Sequence, residues 1–214
     1  MAHDHDHDAG LSFDDRAATW DDDPGKIERA ARVAESIGEA VALDPSMRVL
    51  EFGAGTGLLT QALAAASGPA TRTDTSAGMR QVMEDKVAAG ALPPATRVWD
   101  LDLAAGPLPD ERFDVVVSLM ALHHIPDTPA VLANVAALLE PGGHLAVVDL
   151  DAEDGSFHGH GADVHHGFDR AELAELLRDA GFVDVSIGDC HHVVRGDGTF
   201  PLFLAVATRA ADEG

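Results

Sequence analysis

The 214-residue chain has a single cysteine, Cys190, so it can form no internal disulfide and no cysteine-based zinc site. The expected role of that thiol is a small buried hydrophobe. Basic residues are scarce: 14 Lys and Arg stand against 37 Asp and Glu, and the formal net charge is -23. Only Lys26 and Lys86 are lysines. Such a surface repels phosphate backbones and anionic membranes, which argues against a nucleic-acid substrate or a membrane partner. No apolar run approaches the roughly 20 residues that cross a bilayer. The acidic, His-rich start has neither the positive n-region nor the apolar h-region of a secretory signal, so a cytoplasmic location is expected.

What is present suffices for one well-buried domain, since 46% of the residues are hydrophobic. Residues 1–12, with the alternation His3-Asp4-His5-Asp6-His7-Asp8, have no apolar period and read as a disordered tail. Imidazole and carboxylate there can chelate a divalent metal, but the tail is given no catalytic role. Residues 13–45 form an N-terminal addition ending in an amphipathic helix that carries Ile27, Ala30, Ala31, Val33, Ala34 and Ile37. Residues 46–210 form the core domain, in which strands alternate with helices. That alternation predicts an α/β, doubly wound, mostly parallel sheet.

The centre of the chain is Val49-Leu50-Glu51-Phe52-Gly53-Ala54-Gly55-Thr56-Gly57-Leu58, an apolar strand end, three alternating glycines and the start of a helix. Glycine at alternate positions lets the chain turn tightly and a ligand approach the backbone, beside unpaired N–H groups at the helix start. A dinucleotide fingerprint requires glycine or alanine three positions after Gly55, where Leu58 stands. Glu51, two residues ahead of the glycines, would repel a pyrophosphate but suits a cationic ligand. About twenty residues on, a short strand ends in Asp74, followed by Thr75, Ser76 and Met79; a carboxylate at that place can accept both ribose hydroxyl protons.

Glu-x-Gly-x-Gly-x-Gly followed by Asp-x-Ser-x-x-Met resembles the first two motifs of class I S-adenosylmethionine-dependent methyltransferases. Within them the chain is most similar to the ubiquinone/menaquinone-biosynthesis-like, type 11 small-molecule group. The resemblance spans about residues 13–208 and implies a Rossmann-like, seven-stranded sheet with an antiparallel last strand, and S-adenosyl-L-methionine as cofactor. It implies that Met79 lies near the adenine edge and that Asp100 and the backbone of Leu101 meet the adenine, with Asp102 the alternative if the register differs by two. Thr75 and Leu119 join the cofactor set. Trp20 and Asp21 would belong to a lid over cofactor and substrate, although Phe13 and Trp20 could equally pack the first helix onto the sheet. Strand alternation favours a core position for Trp99.

Methyl transfer is an in-line displacement in which the enzyme holds nucleophile and methyl group together and excludes water. No metal is assigned to the site. An acidic acceptor needs a base, and the candidates are His123 and His124, in a loop after the fourth strand, and His165 and His166, in an insertion after the fifth. Leu-His-His-Ile-Pro-Asp in that first loop replaces the Asn/Asp-Pro-Pro-aromatic of amino-methylating nucleic-acid enzymes, and so favours a small-molecule acceptor. The insertion, Asp149 to Gly167, is expected to overhang the acceptor and to bury little core. Two rival readings are a binding protein that holds the cofactor without turnover and a metal-dependent enzyme using Asp149, Asp151, His158, His160, His165 and His166. At the C-terminus, strands over residues 182–190 and 200–208 are predicted, joined by a loop over 191–199. The acceptor, and whether the chain is a monomer or a homodimer, are left open.

Overall fold

The computed structural model describes residues 12–68, 70–159 and 163–211, so His160 and all but Ser12 of the tail expected over residues 1–12 lie outside the described residues. Two short helical segments come first among the described residues: helix α1, Phe13–Arg16, and a 3-10 helix, Ala17–Asp22. Ser12 caps α1 in a reciprocal capping box with Asp15. Helix α2, Pro24–Ala40, starts with proline in its first turn and is capped by Asp23. There follow β1 (Val49–Phe52), α3 (Leu58–Leu63), β2 (Ala70–Thr73), α4 (Ala77–Ala88), β3 (Arg97–Trp99) and β4 (Phe113–Leu119). The rest is α5 (Thr128–Leu138), β5 (Leu139–Leu150), α6 (Arg170–Asp179), β6 (Phe182–Arg195) and β7 (Gly198–Arg209).

The seven strands form one sheet in the order β3-β2-β1-β4-β5-β7-β6. Neighbours from β3 to β5 are parallel, and only β7 runs against its neighbours β5 and β6. This is the predicted doubly wound α/β sheet with an antiparallel last strand. The strand order reverses between β1 and β4, which places a ligand crevice outside their carboxyl ends.

Both faces of the sheet are covered. On one, Leu50, Phe52, Val116, Leu145 and Phe203 pack against α5 and α6 through Val131, Leu132, Val135, Leu173 and Leu177. On the other, Val49, Val115, Val117, Ala146 and Val148 pack against α2 and α3 through Val33, Ile37, Leu59 and Leu63. Trp99 packs against the first cluster, edge-on to Phe113 at 6.1 Å, the core position that strand alternation predicts. Cys190 is half-buried against the second cluster, less enclosed than expected.

Two expectations are corrected. The residues read as a loop over 191–199 belong to a hairpin, in which His191, His192, Val193 and Val194 pair with Leu202, Pro201, Phe200 and Thr199. The turn is confined to Gly196 and Asp197, because β-branched residues on both sides have ladder partners and Gly196 alone takes a positive φ, 58°. The insertion after β5 is also more firmly held than expected. Phe157 is 6% exposed, sits in the second core cluster and meets Phe200 edge-on at 5.0 Å. The backbone of the insertion is hydrogen-bonded from Ala152 to Phe168, from Glu153 to His166 and from His165 to His123. One large aromatic at the right place anchors a segment that has no apolar period.

Candidate functional site

The glycine loop is shaped by backbone demands. Gly53, Gly55 and Gly57 all take left-handed φ, 57°, 55° and 79°, a region side chains disfavour. A Cβ on Gly53 would lie 2.2 Å from that of Ala121, and one on Gly57 2.9 Å from the Arg72 side chain. One on Gly55 would meet only the Trp20 indole nitrogen, at 3.9 Å, so this glycine opens onto a crevice of 740 Å³. Beneath the loop, Glu51 is 2% exposed and accepts hydrogen bonds from the amide and hydroxyl of Thr60. Burial pushes its carboxyl up to about 7, against the pull of Thr60 and of Arg72, 4.0 Å away.

Asp74 joins the loop to the end of β2: one carboxylate oxygen accepts the Gly55 N–H at 2.7 Å, the other the Ser76 N–H at 2.8 Å. Ser76 itself caps α4 through the Met79 amide. Burial raises the Asp74 carboxyl above its ordinary value, opposed by those two amides. Asp74, Thr75, Met79, Leu101 and Leu119 line the crevice. Asp100 does not. Its carboxylate pairs with Arg80 at 3.0 Å and its side chain is 70% exposed, because that guanidinium also caps the Asp74 and Thr75 carbonyls and draws the acid outward. The acid on the crevice wall after β3 is Asp102, the alternative register.

The N-terminal segment roofs the crevice with Phe13, Arg16 and Trp20. Its latches are acidic. Asp14 accepts from the Ser76 hydroxyl and the Gly78 amide, and Asp21 accepts from the Thr56 hydroxyl and pairs with Lys86 at 2.5 Å. Trp20 carries the Lys26 ammonium 3.8 Å from its ring centre and the Arg16 guanidinium at 4.8 Å.

At the other end of the crevice β4 leads through Met120, whose φ of 53° is rare for a residue with a side chain, into the 3-10 turn Leu122–His124. His123 is 1% exposed and its Nδ1 lies 2.6 Å from a carboxylate oxygen of Asp149, itself fully buried. The second oxygen of Asp149 accepts the His123 amide at 3.2 Å. A carboxylate only accepts, so this contact puts the proton on Nδ1 and leaves Nε2 with a lone pair. That Nε2 lies 3.0 Å from Nε2 of His158, and the His124 ring is 4.1 Å from the His123 ring. Burial, reinforced by the charge of neighbouring groups, holds His124 at about 3 and His158 at about 4, so both are neutral donors near neutral pH. An oriented imidazole beside two neutral ones can accept a proton or share a ligand.

The four histidines proposed as bases thus separate. His123 and His124 line the crevice, whereas His165 and His166 do not. His165 is tied by Nε2 to the carbonyls of Ile125 and Pro126, at 3.1 and 3.2 Å, and braces the turn from behind; His166 is exposed. His158 takes the place the sequence reading gave them. Phe157, packing into the core next to it, fixes its direction and was the available signal. The metal set read from the insertion does not converge either: Asp151 is held by two hydrogen bonds to Arg170 at 2.6 Å, and Asp149 is committed to His123.

Residues 26–187 match the family described as Methyltransferase domain. An uncharacterized methyltransferase of Anoxybacillus flavithermus is 35% identical over 140 residues, covering 64% of this chain and 58% of that protein. The biotin biosynthesis bifunctional protein BioCD of Bordetella avium is 38% identical over 126 residues, covering 58% of this chain and 26% of that protein. The matches therefore span 58% and 26% of these curated relatives, less than two thirds of either. Among solved structures, phosphoethanolamine N-methyltransferase 2 of Haemonchus contortus, in complex with S-adenosyl-L-methionine, shares the fold with a TM-score of 0.70 at 14% identity, over 94% of this chain and 60% of that one. With its glycine loop, strand-end acid and strand order in place, and with most of its length matched, the chain belongs to the methyltransferase domain family, among the class I S-adenosylmethionine-dependent methyltransferases.

Proposed function

We propose that the chain binds S-adenosyl-L-methionine in the crevice and methylates a small-molecule acceptor at its histidine end. The observation that carries this reading is the open face of Gly55 held against Asp74, an approachable backbone beside a partly buried carboxylate. The residues present fit the cofactor. Each oxygen of Asp74 retains a lone pair for a hydroxyl pair, Met79 and Leu101 offer apolar faces to a flat ring, and Arg29 offers a cation to a carboxylate. When bound, the cofactor supplies a methyl group on a positively charged sulfur. The chain's own contribution is to orient and to exclude water: the roof of Phe13 and Trp20, latched by Asp14 and Asp21, closes one side, and His123, His124 and His158 wall the other.

The size and sign of the molecule support a small acceptor. A crevice of 740 Å³ shared with the cofactor leaves room for little more, and a net charge of -23 works against nucleic acid. No helix among the described residues is long and apolar enough to cross a membrane. Calorimetry with S-adenosylmethionine and its demethylated product tests the reading. Both should bind, and Asp74→Ala should weaken binding roughly tenfold or more, because charge-assisted hydrogen bonds are lost. Absence of binding, or tighter binding of NAD, overturns the assignment.

A further inference from the structure

The histidine end of the crevice has a composition that methyl transfer does not require. His123, His124 and His158 each present a ring nitrogen, and these three atoms lie within 4.8 Å of one another. We propose that they form a binding site for one divalent transition metal of the zinc type, with a coordination position left open toward the crevice.

The argument is geometric. A tetrahedral zinc site with bonds of about 2.0–2.1 Å separates its nitrogens by roughly 3.4 Å; the 3.0 Å between His123 and His158 and the outer limit of 4.8 Å bracket that value. Three imidazoles with an open fourth position are the ligand set of catalytic zinc sites, and imidazole suits iron, copper and nickel as well. The carboxylate behind the ligand is also present. A metal-bound histidine usually donates its other N–H to a carboxylate, which fixes the ring, and Asp149 stands 2.6 Å from Nδ1 of His123 with no exposure of its own. The ligands are rigidly placed: two sit on the turn after β4, which the His165 amide ties back to His123, and the third follows the core anchor Phe157. All three line the crevice, so the open position faces the acceptor and would take an oxygen, nitrogen or sulfur donor from it. That use rests on the methyl-transfer reading, whereas metal binding itself does not.

The test uses the full chain, stripped with chelator and reloaded with zinc(II) or cobalt(II), because the His/Asp tract at its start then contributes the same background to every variant. Metal equivalents are measured by elemental analysis and the cobalt environment by its visible spectrum. Relative to wild type, His124→Ala and His158→Ala should each lose one tightly held equivalent and the four-coordinate cobalt bands, in protein that still unfolds in a single cooperative transition. Asp149→Asn should weaken metal binding about 10–100-fold. His158→Cys should keep the metal and add a sulfur-to-cobalt charge-transfer band, in protein that still unfolds in a single cooperative transition. Equal metal content and equal spectra in wild type and both alanine variants overturn the proposal and leave a hydrogen-bonded trio. A metal difference in protein that fails to bind S-adenosylmethionine upholds the metal site and defeats the methyl-transfer reading.

Discussion

The carboxyl of Glu51 lies beneath the glycine loop, and opposing effects set its acidity. Removal from water favours the neutral form, while two hydrogen bonds from Thr60 and the guanidinium of Arg72 favour the charged one. Burial wins, and Arg72 is itself lowered by burial, so the pair does not offset its own desolvation. With a folded value of about 7 against an ordinary 4.5, native protein holds more protons than unfolded chain between those values. The contribution is therefore fully present below about pH 4.5 and is lost as pH rises through about 7. The difference is worth roughly 3 kcal/mol. Glu51→Gln keeps an acceptor for Thr60 without the titration. Its melting temperature should fall less than that of wild type between about pH 5 and pH 7; parallel profiles would place the pH response on other groups.

At the scale of elements, the insertion between β5 and α6 tests whether a polar segment can be structural. Phe157 is its anchor, packed edge-on to Phe200 and beside His158. Phe157→Ala should destabilise the protein by about 3 kcal/mol, as truncation of a buried phenylalanine does. It should also release His158 from the crevice. A urea titration reads the first effect, and a change under 1 kcal/mol would return the insertion to the peripheral role its composition suggests. The same contrast separates what the sequence made legible from what it did not. Alternating glycines, the acid ending β2 and the caps Ser76, Asp127 and Asp169 are local requirements, met within a few residues. Three features were decided by partners distant in sequence. β6 runs on through His191 and His192 because β7 lies beside it. Asp100 leaves the crevice because Arg80, on another element, claims it. His123 and His158 meet across a separation of 35 residues, and no local pattern marks that meeting.

The whole molecule carries its charge unevenly. With 37 acids against 14 bases, like charges greatly outnumber opposite ones, and the compact state is strained by self-repulsion that the unfolded chain relieves. The cations that exist are concentrated in structural positions. Arg48 joins Asp114 to Glu140 at the foot of the sheet, Arg97 pairs with Glu111, Arg170 joins Asp151 to Asp189, and Lys86 holds Asp21 of the roof. Salt acts on these two populations in opposite directions. It weakens the exposed pairs, each worth about 0–1 kcal/mol, and it screens the repulsion of the acidic excess, because the Debye length falls from about 10 Å at 0.1 M to about 3 Å at 1 M. The second effect should dominate. Raising potassium chloride from about 0.1 M to 1 M should therefore raise the melting temperature by several degrees. The roof latch is an exception within the trend: with Asp21 30% exposed, its pair with Lys86 is screened as well, so S-adenosylmethionine should dissociate faster at high salt even as the fold gains stability. Scanning calorimetry and stopped-flow release measured across the same salt series check both signs. A melting temperature that falls with salt would mean that the few paired cations, and not the acidic excess, govern the stability of the chain.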